Sequence, residues 1–184
     1  QVKYNEPWYR HQRSEGARMF QKYIRIRKEI VVEVNHTFER LLGGRACIGM
    51  HLRGTDKADG RVRTNLSRAF AEVDKRLSLG KETVVFLATD DEDFLAEATA
   101  RYDNSTLYHL HALRARGHKP VYKMHDPVQA SHEVLRDIMC LAKCSYLVAG
   151  ASSVSEMVFY MSPTLHQAFL HLSITFDNVV SWLV

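Results

Sequence analysis

Apolar positions along the chain alternate between two periods. Phe20, Ile24, Val31, Val34, Phe38 and Leu41–Leu42 recur mostly at three- and four-residue steps, which predicts a helix over residues 18–42 that stops at Gly43-Gly44. The run Ala46-Cys-Ile-Gly-Met-His-Leu52 is short and continuous, as in a buried strand, and a polar loop follows from Arg53 to Thr64. Asn65 is then placed to cap a helix with Leu66, Phe70, Val73 and Leu77 on one face, ended by Gly80. The alternation returns. Residues 83–89 form a strand rich in β-branched and aromatic residues, Asp90-Asp91 opens a helix around Phe94, Leu95 and Ala98, and residues 107–113 give a weaker strand. Residues 114–128 read as a loop, Ser131 caps a helix running to about residue 143, and strand 146–149 precedes a helix over 152–161 and a last strand over 165–172. Strands alternating with helices of this length predict an α/β fold, a doubly wound Rossmann-like parallel sheet with helices on both faces.

Composition fits that picture. The 184 residues are 46% hydrophobic and 25% charged, which suits one packed core and excludes a disordered or fibrous chain. A single domain over residues 1–184 is expected, with residues 1–45 as a helical lead-in. The net charge of +4 suits a local anionic ligand better than extended nucleic acid, so no nucleic-acid partner is expected. No stretch approaches the roughly 20 apolar residues of a membrane helix, and a soluble segment without membrane contact is expected. The polar start QVKYNEPWYRH has no signal-peptide pattern, and a chain opening on Gln reads as a fragment of a longer one.

Cys47, Cys140 and Cys144 lack zinc-site spacing and read as core thiols. Three of the five asparagines, Asn35, Asn65 and Asn104, stand in Asn-x-Ser/Thr sequons, against about 0.6 expected at this Ser and Thr content. That favours a lumenal setting, Golgi or ER, for an anchored eukaryotic protein.

Ligands of open α/β sheets bind beyond the carboxyl ends of the strands. Three such ends are unusually polar here: His51-Leu-Arg53-Gly-Thr55-Asp56-Lys57, Ala88-Thr89-Asp90-Asp91, and Gly150-Ala-Ser152-Ser153-Val-Ser155. Alternation puts His51 and Arg53 on one face of their strand, where the guanidinium fork can grip phosphate oxygens or pair with a carboxylate such as Asp56. Ser152 and Ser153 stand where a helix begins, either as an anion site or as plain N-caps. Asp137 shares the inward face of an apolar helix with Val134, Ile138 and Leu141. There it must find a partner, either the N–H edge of a guanine or an arginine such as Arg53. Asp90, Asp91 and Asp93 offer hard oxygens to a metal, or else cap the helix they open. His109, His111 and His132 read as structural or surface residues.

Taken together, HLRGTDK, FLATDD and VLRDIMCLAKCSYLVAGASSVSEMV resemble, in order and spacing, the donor-binding half of the α-1,6-fucosyltransferases, the group of the core N-glycan and bacterial nodulation enzymes. The likeness runs over about residues 46–161. It implies half of a GT-B glycosyltransferase that transfers fucose from GDP-fucose with inversion and without a metal cofactor, to a glycan or glycoprotein acceptor. Within the resemblance Arg53 matches the arginine that binds the β-phosphate and stabilises the leaving GDP. His51 and Asp137 match nucleoside contacts, with Asp137 on guanine, and Ser153, beside Ser152, matches the diphosphate contact. Asp56, Lys57, Asp90 and Asp91 match residues that shape the loop. The sequence departs from the pattern at Gly54, where relatives have a second arginine, at Phe70, where they have a tyrosine, and at Arg61, where an acidic residue is expected. Asp59 is the nearest carboxylate to serve as general base. Two rival readings are a non-catalytic GDP-sugar-binding module and a metal-dependent enzyme centred on Asp90, Asp91 and Asp93.

Overall fold

The computed structural model describes residues 6–54, 64–80, 82–116 and 126–172. Two helices come first, α1 (Glu6–Tyr23) and α2 (Lys28–Leu42). The sheet units follow: β1 (Cys47–Leu52), α3 (Leu66–Leu77), β2 (Val84–Thr89), α4 (Glu92–Arg101) and β3 (Leu107–Tyr108). After them come α5 (Pro127–Leu141), β4 (Tyr146–Ala149), α6 (Ser153–Met161), a 3-10 turn (Pro163–His166) and β5 (Phe169–His171). The strands form one parallel sheet in the order β3-β2-β1-β4-β5. It is the doubly wound α/β fold that the alternation predicts.

Every residue of β1 and β2 is buried, because both faces of the sheet are covered. Cys47, Val84, Phe86, Ala88, Leu147 and Ala149 face a core built with α2, α5 and α6. Ile48, Met50, Leu52, Val85, Leu87 and Val148 face the opposite core, with α3 and α4. The period of two along each strand therefore assigns His51 and Arg53 to the α5–α6 side, at the carboxyl end of the central strand. β1 is also where the order reverses, since it pairs with β2 on one side and β4 on the other. That reversal opens a crevice in folds of this kind.

Several boundaries differ from the expectation. The helix expected over 18–42 is two helices. Ile24 N still closes on Phe20 O at 2.8 Å, but Arg27 is extended (φ −56°, ψ 137°) and α2 starts anew, with Ile30 N and Val31 N donating to Arg27 O. The break has a tertiary cause. α1 packs mainly on α6 and α2 on α5, so the chain turns between two supports. Gly43 does end α2, in the left-handed region (φ 58°).

The strand expected over 107–113 lasts two residues. Beyond it Arg114 donates to the carbonyls of Leu110 (2.9 Å) and Ala112 (3.1 Å), groups a longer strand would have given to the sheet. α5 is capped by Asp126, which accepts from Val128 N at 2.8 Å with Pro127 in the first turn. Ser131 lies inside that helix and donates to Pro127 O instead. The last strand is shortened to Phe169–His171 by the 3-10 turn before it.

α1 is fixed to α6 by a buried cluster. Arg13, 3% exposed, donates to both carboxylate oxygens of Glu156 (3.0 and 2.8 Å), and Tyr9 also bonds Glu156. The guanidinium carbon lies 3.6 Å from the Phe159 ring centre and 4.7 Å from that of Phe169. The helices approach closely at Gly16, where a Cβ would stand 2.5 Å from the Tyr160 ring.

Candidate functional site

A cavity of about 750 Å³ lies at the carboxyl ends of β1 and β2, within the size range of small-molecule sites. His51, Arg53, Ala88, Thr89 and Asp90 line it from the sheet. α5 contributes Glu133, Val134, Asp137 and Ile138, and α6 contributes Val154, Met157 and Met161. Phe20, Ile24, Arg27 and Ile30 complete the wall from the α1–α2 corner, so the turn that interrupts the expected long helix borders the site.

His51 is buried, with Nδ1 2.7 Å from Ser155 Oγ. Ser155 Oγ donates to Gly150 O at 3.0 Å. Ser155, 2% exposed, thus ties β1 to the start of α6. Ser152 caps α6, accepting from Val154 N at 3.2 Å. Ser153 is exposed at the first helical position, and the wall that α6 gives the cavity starts one residue later, at Val154. The structure thus brings His51, Arg53 and Asp137 to one cavity, while Ser152 is used as a cap.

Asp137 is 9% exposed, and its Oδ1 meets no donor among the described residues. Burial pushes its carboxyl up to about 7, against the pull of Arg114 and Arg136, with Glu133 adding to the rise. Nε of Arg114 is also buried without a partner among the described residues. Glu133 is engaged on both oxygens, accepting from Leu113 N (2.7 Å) and Gln129 (3.0 Å). The arginines whose charge acts on Asp137 are Arg114 and Arg136, neither of them the arginine that the sequence suggests as one of its two possible partners, Arg53.

Asp90 and Asp91 hold backbone. Asp90 Oδ1 accepts from Gly54 N at 2.8 Å, which fixes the chain as it leaves β1. Asp91 Oδ1 caps α4, accepting from Asp93 N (2.9 Å) and Phe94 N (3.3 Å). Asp93 is exposed. Among the described residues no three His, Cys, Asp or Glu side chains converge on one point. Gly54 sits against this pair of aspartates: a Cβ there would overlap Asp91 Oδ2 and come within 2.6 Å of Asp91 Cβ. A side chain at this position would therefore displace the Asp91 cap. Asp56, Lys57, Asp59 and Arg61 lie outside the described residues.

Ser155 and Arg114 were not singled out from the sequence. Ser155 stood in the SSVS motif, but its link to His51 depends on how β1 and α6 meet. Arg114 lay in a segment without periodicity.

No family model matches the chain, and no curated protein matches it in sequence. Solved structures match it in fold. The NodZ α-1,6-fucosyltransferase co-crystallized with GDP superposes with a TM-score of 0.54 at 19% identity, and the same enzyme soaked with GDP-fucose gives 0.56 at 22%. Fucosyltransferase NodZ from Bradyrhizobium gives 0.53 at 19%. Each match covers 79% of this chain and 46% of the other, so the chain spans about half the length of the proteins it resembles. Among the described residues no helix is long and apolar enough to cross a membrane. The structural neighbours belong to the same group of enzymes that the sequence motifs resemble, and across 79% of its length this chain has the fold of about half of a NodZ α-1,6-fucosyltransferase.

Proposed function

We propose that this chain is the donor-binding part of a glycosyltransferase, a GT-B-type fucosyltransferase that takes fucose from GDP-fucose without a metal cofactor. One observation carries the reading. Asp137 is a nearly buried carboxylate with an oxygen that meets no donor among the described residues, and it shares a cavity with His51 and Arg53 at the switch point of the sheet. A guanine edge offers two N–H groups to a carboxylate, and a diphosphate offers oxygens to a guanidinium fork. The fold likeness to structures obtained with GDP and GDP-fucose supports the same assignment.

In this mechanism Asp137 holds the base, His51 the sugar of the nucleoside, and Arg53 the β-phosphate. Ser152 and Ser153 present the start of α6, whose helix dipole favours the diphosphate. An acceptor hydroxyl of a glycan or glycoprotein attacks the anomeric carbon from the face opposite GDP, inverting it, and Asp59 takes the proton. Charge that develops on the departing GDP is met by Arg53 and by backbone N–H groups, a preorganised field that needs no cation. Asp56, Lys57, Asp90 and Asp91 support the loop carrying Arg53. The chain acts as one domain, residues 1–184, and its partners are GDP-fucose and the acceptor. A Golgi or ER lumen setting is supported by the exposed sequon asparagines Asn35 and Asn104.

Titration calorimetry with GDP and GDP-fucose in chelator tests this reading. Binding of both is expected, and absence of heat with a folded chain overturns it. A second reading, a GDP-sugar-binding module without transferase activity, draws on Gly54, packed against Asp91 where the resemblance implies a second arginine, and on Arg61, where it implies an acidic residue. Release of fucose from GDP-fucose by the whole protein in the presence of acceptor separates the two.

A further inference from the structure

Cys47 opens β1, and Cys144 lies in the turn between α5 and β4. Their sulfurs are 3.1 Å apart. Both residues are buried, 3% and 4% exposed, in the core on the α5 side of the sheet. The backbone fixes the approach. Ser145 N and Ser145 Oγ both donate to Cys47 O, at 2.8 and 3.0 Å, which continues the β1–β4 pairing one step past Ile48 and Tyr146. Paired strands stand roughly 4.8 Å apart. This pairing beside Cys144, with the sulfurs 3.1 Å apart, is the close approach that a disulfide needs. Cys140, one helical turn before Cys144, accepts a weak bond from the Cys144 thiol on its carbonyl, at 3.5 Å. Among the described residues its own sulfur has no thiol within hydrogen-bond range.

We propose that Cys47 and Cys144 are a disulfide-forming pair and that Cys140 stays reduced. The oxidant is a small-molecule disulfide such as oxidised glutathione. One cysteine, as thiolate, attacks it, forming a mixed disulfide and expelling one glutathione thiolate. The second cysteine attacks the mixed disulfide, the Cys47–Cys144 bond forms, and the second glutathione leaves. Two electrons pass to glutathione, and the two cysteine protons end on the two glutathione thiols. Because both sulfurs are enclosed in the folded chain, exchange takes place as the chain folds or opens. The bond lies at the amino end of β1, away from the cavity at its carboxyl end, and closes a loop across residues 97 apart in sequence. Its effect is on stability and not on ligand binding.

The test refolds the whole chain with oxidised and reduced glutathione, or with dithiothreitol. Remaining thiols are then alkylated in denaturant and the peptides mapped by mass. A linked Cys47–Cys144 peptide with alkylated Cys140 is expected, together with a Tm higher than that of the reduced form by on the order of 5–15 °C. Cys140→Ser keeps both, and Cys47→Ser loses both. Protein purified without reductant and trapped by acid gives the same map without refolding. Three alkylated cysteines after both treatments, or a linked peptide containing Cys140, overturns the proposal.

Discussion

His51 Nδ1 lies 2.7 Å from Ser155 Oγ, and the direction of that bond follows from Ser155's second contact. A hydroxyl has one proton. Ser155 gives it to Gly150 O, so its oxygen accepts from His51, and Nδ1 carries the hydrogen. In the neutral ring Nε2 is then the accepting nitrogen, the form that takes a hydrogen bond from a sugar hydroxyl.

Ser155→Ala removes the group that sets this tautomer and takes from the buried Nδ1–H the hydroxyl that accepts it. A loss of about 1–3 kcal/mol in unfolding free energy is expected, measured by urea denaturation. GDP binding is expected to weaken as well, since the ring is free to turn.

Arg53→Ala removes the guanidinium proposed to hold the β-phosphate. Calorimetry is expected to show GDP affinity reduced by roughly 1.5–3 kcal/mol, the range of a charged hydrogen bond. Guanosine affinity should change far less. Unchanged GDP binding in a folded variant excludes the assigned contact.

Asp137 gives the site a pH dependence with a definite sign. Its folded-state value is raised to about 7 by burial, whereas an unfolded Asp titrates near ~3.9. The native state therefore holds the proton more tightly than the unfolded chain. Its contribution to stability is largest below pH ~4 and declines as pH rises toward about 7. Ligand affinity runs the other way. A base held through N–H donors needs the carboxylate, so GDP binding should strengthen by up to roughly tenfold per pH unit on approaching 7 from below, then level off. Asp137→Asn should flatten that profile. Removing Arg114, whose charge pulls the value down, should shift the rise to higher pH.

Gly54→Ala forces a methyl group onto Asp91. Moving that side chain costs α4 its N-cap, and a loss of about 1–2 kcal/mol is expected in thermal unfolding, with α4 amides exchanging faster. A double variant with Asp91→Ala should cost less than the sum of the two single changes, because the cap is lost only once.

Glu156→Ala leaves the Arg13 guanidinium enclosed among aromatic rings without its carboxylate. A cost of about 3–5 kcal/mol is expected, with protease cleavage between α1 and α2 becoming faster.

Much of this architecture was legible in the residues. β1, β2 and β4 announce themselves as short apolar runs, α3 by its Asn65 cap and α4 by Asp91, because these signals are local. The inward position of Asp137 followed from helical periodicity. The break at Ile24–Arg27 left no trace, since no Gly or Pro marks it and apolar spacing continues through it. Only the separate supports of α1 and α2 require a turn there. Likewise Arg13, on a polar stretch of α1, becomes a core residue only when α6 brings Glu156 and Phe159 against it.

The Arg13–Glu156 clasp joins residues 143 positions apart. Ribosomes add residues at about 5–20 per second, so α1 is made on the order of ten seconds before α6, the helix that covers it. During that interval Arg13 has neither the Glu156 carboxylate nor the Phe159 ring that later enclose it, so α1 must wait for α6 before its buried face is covered.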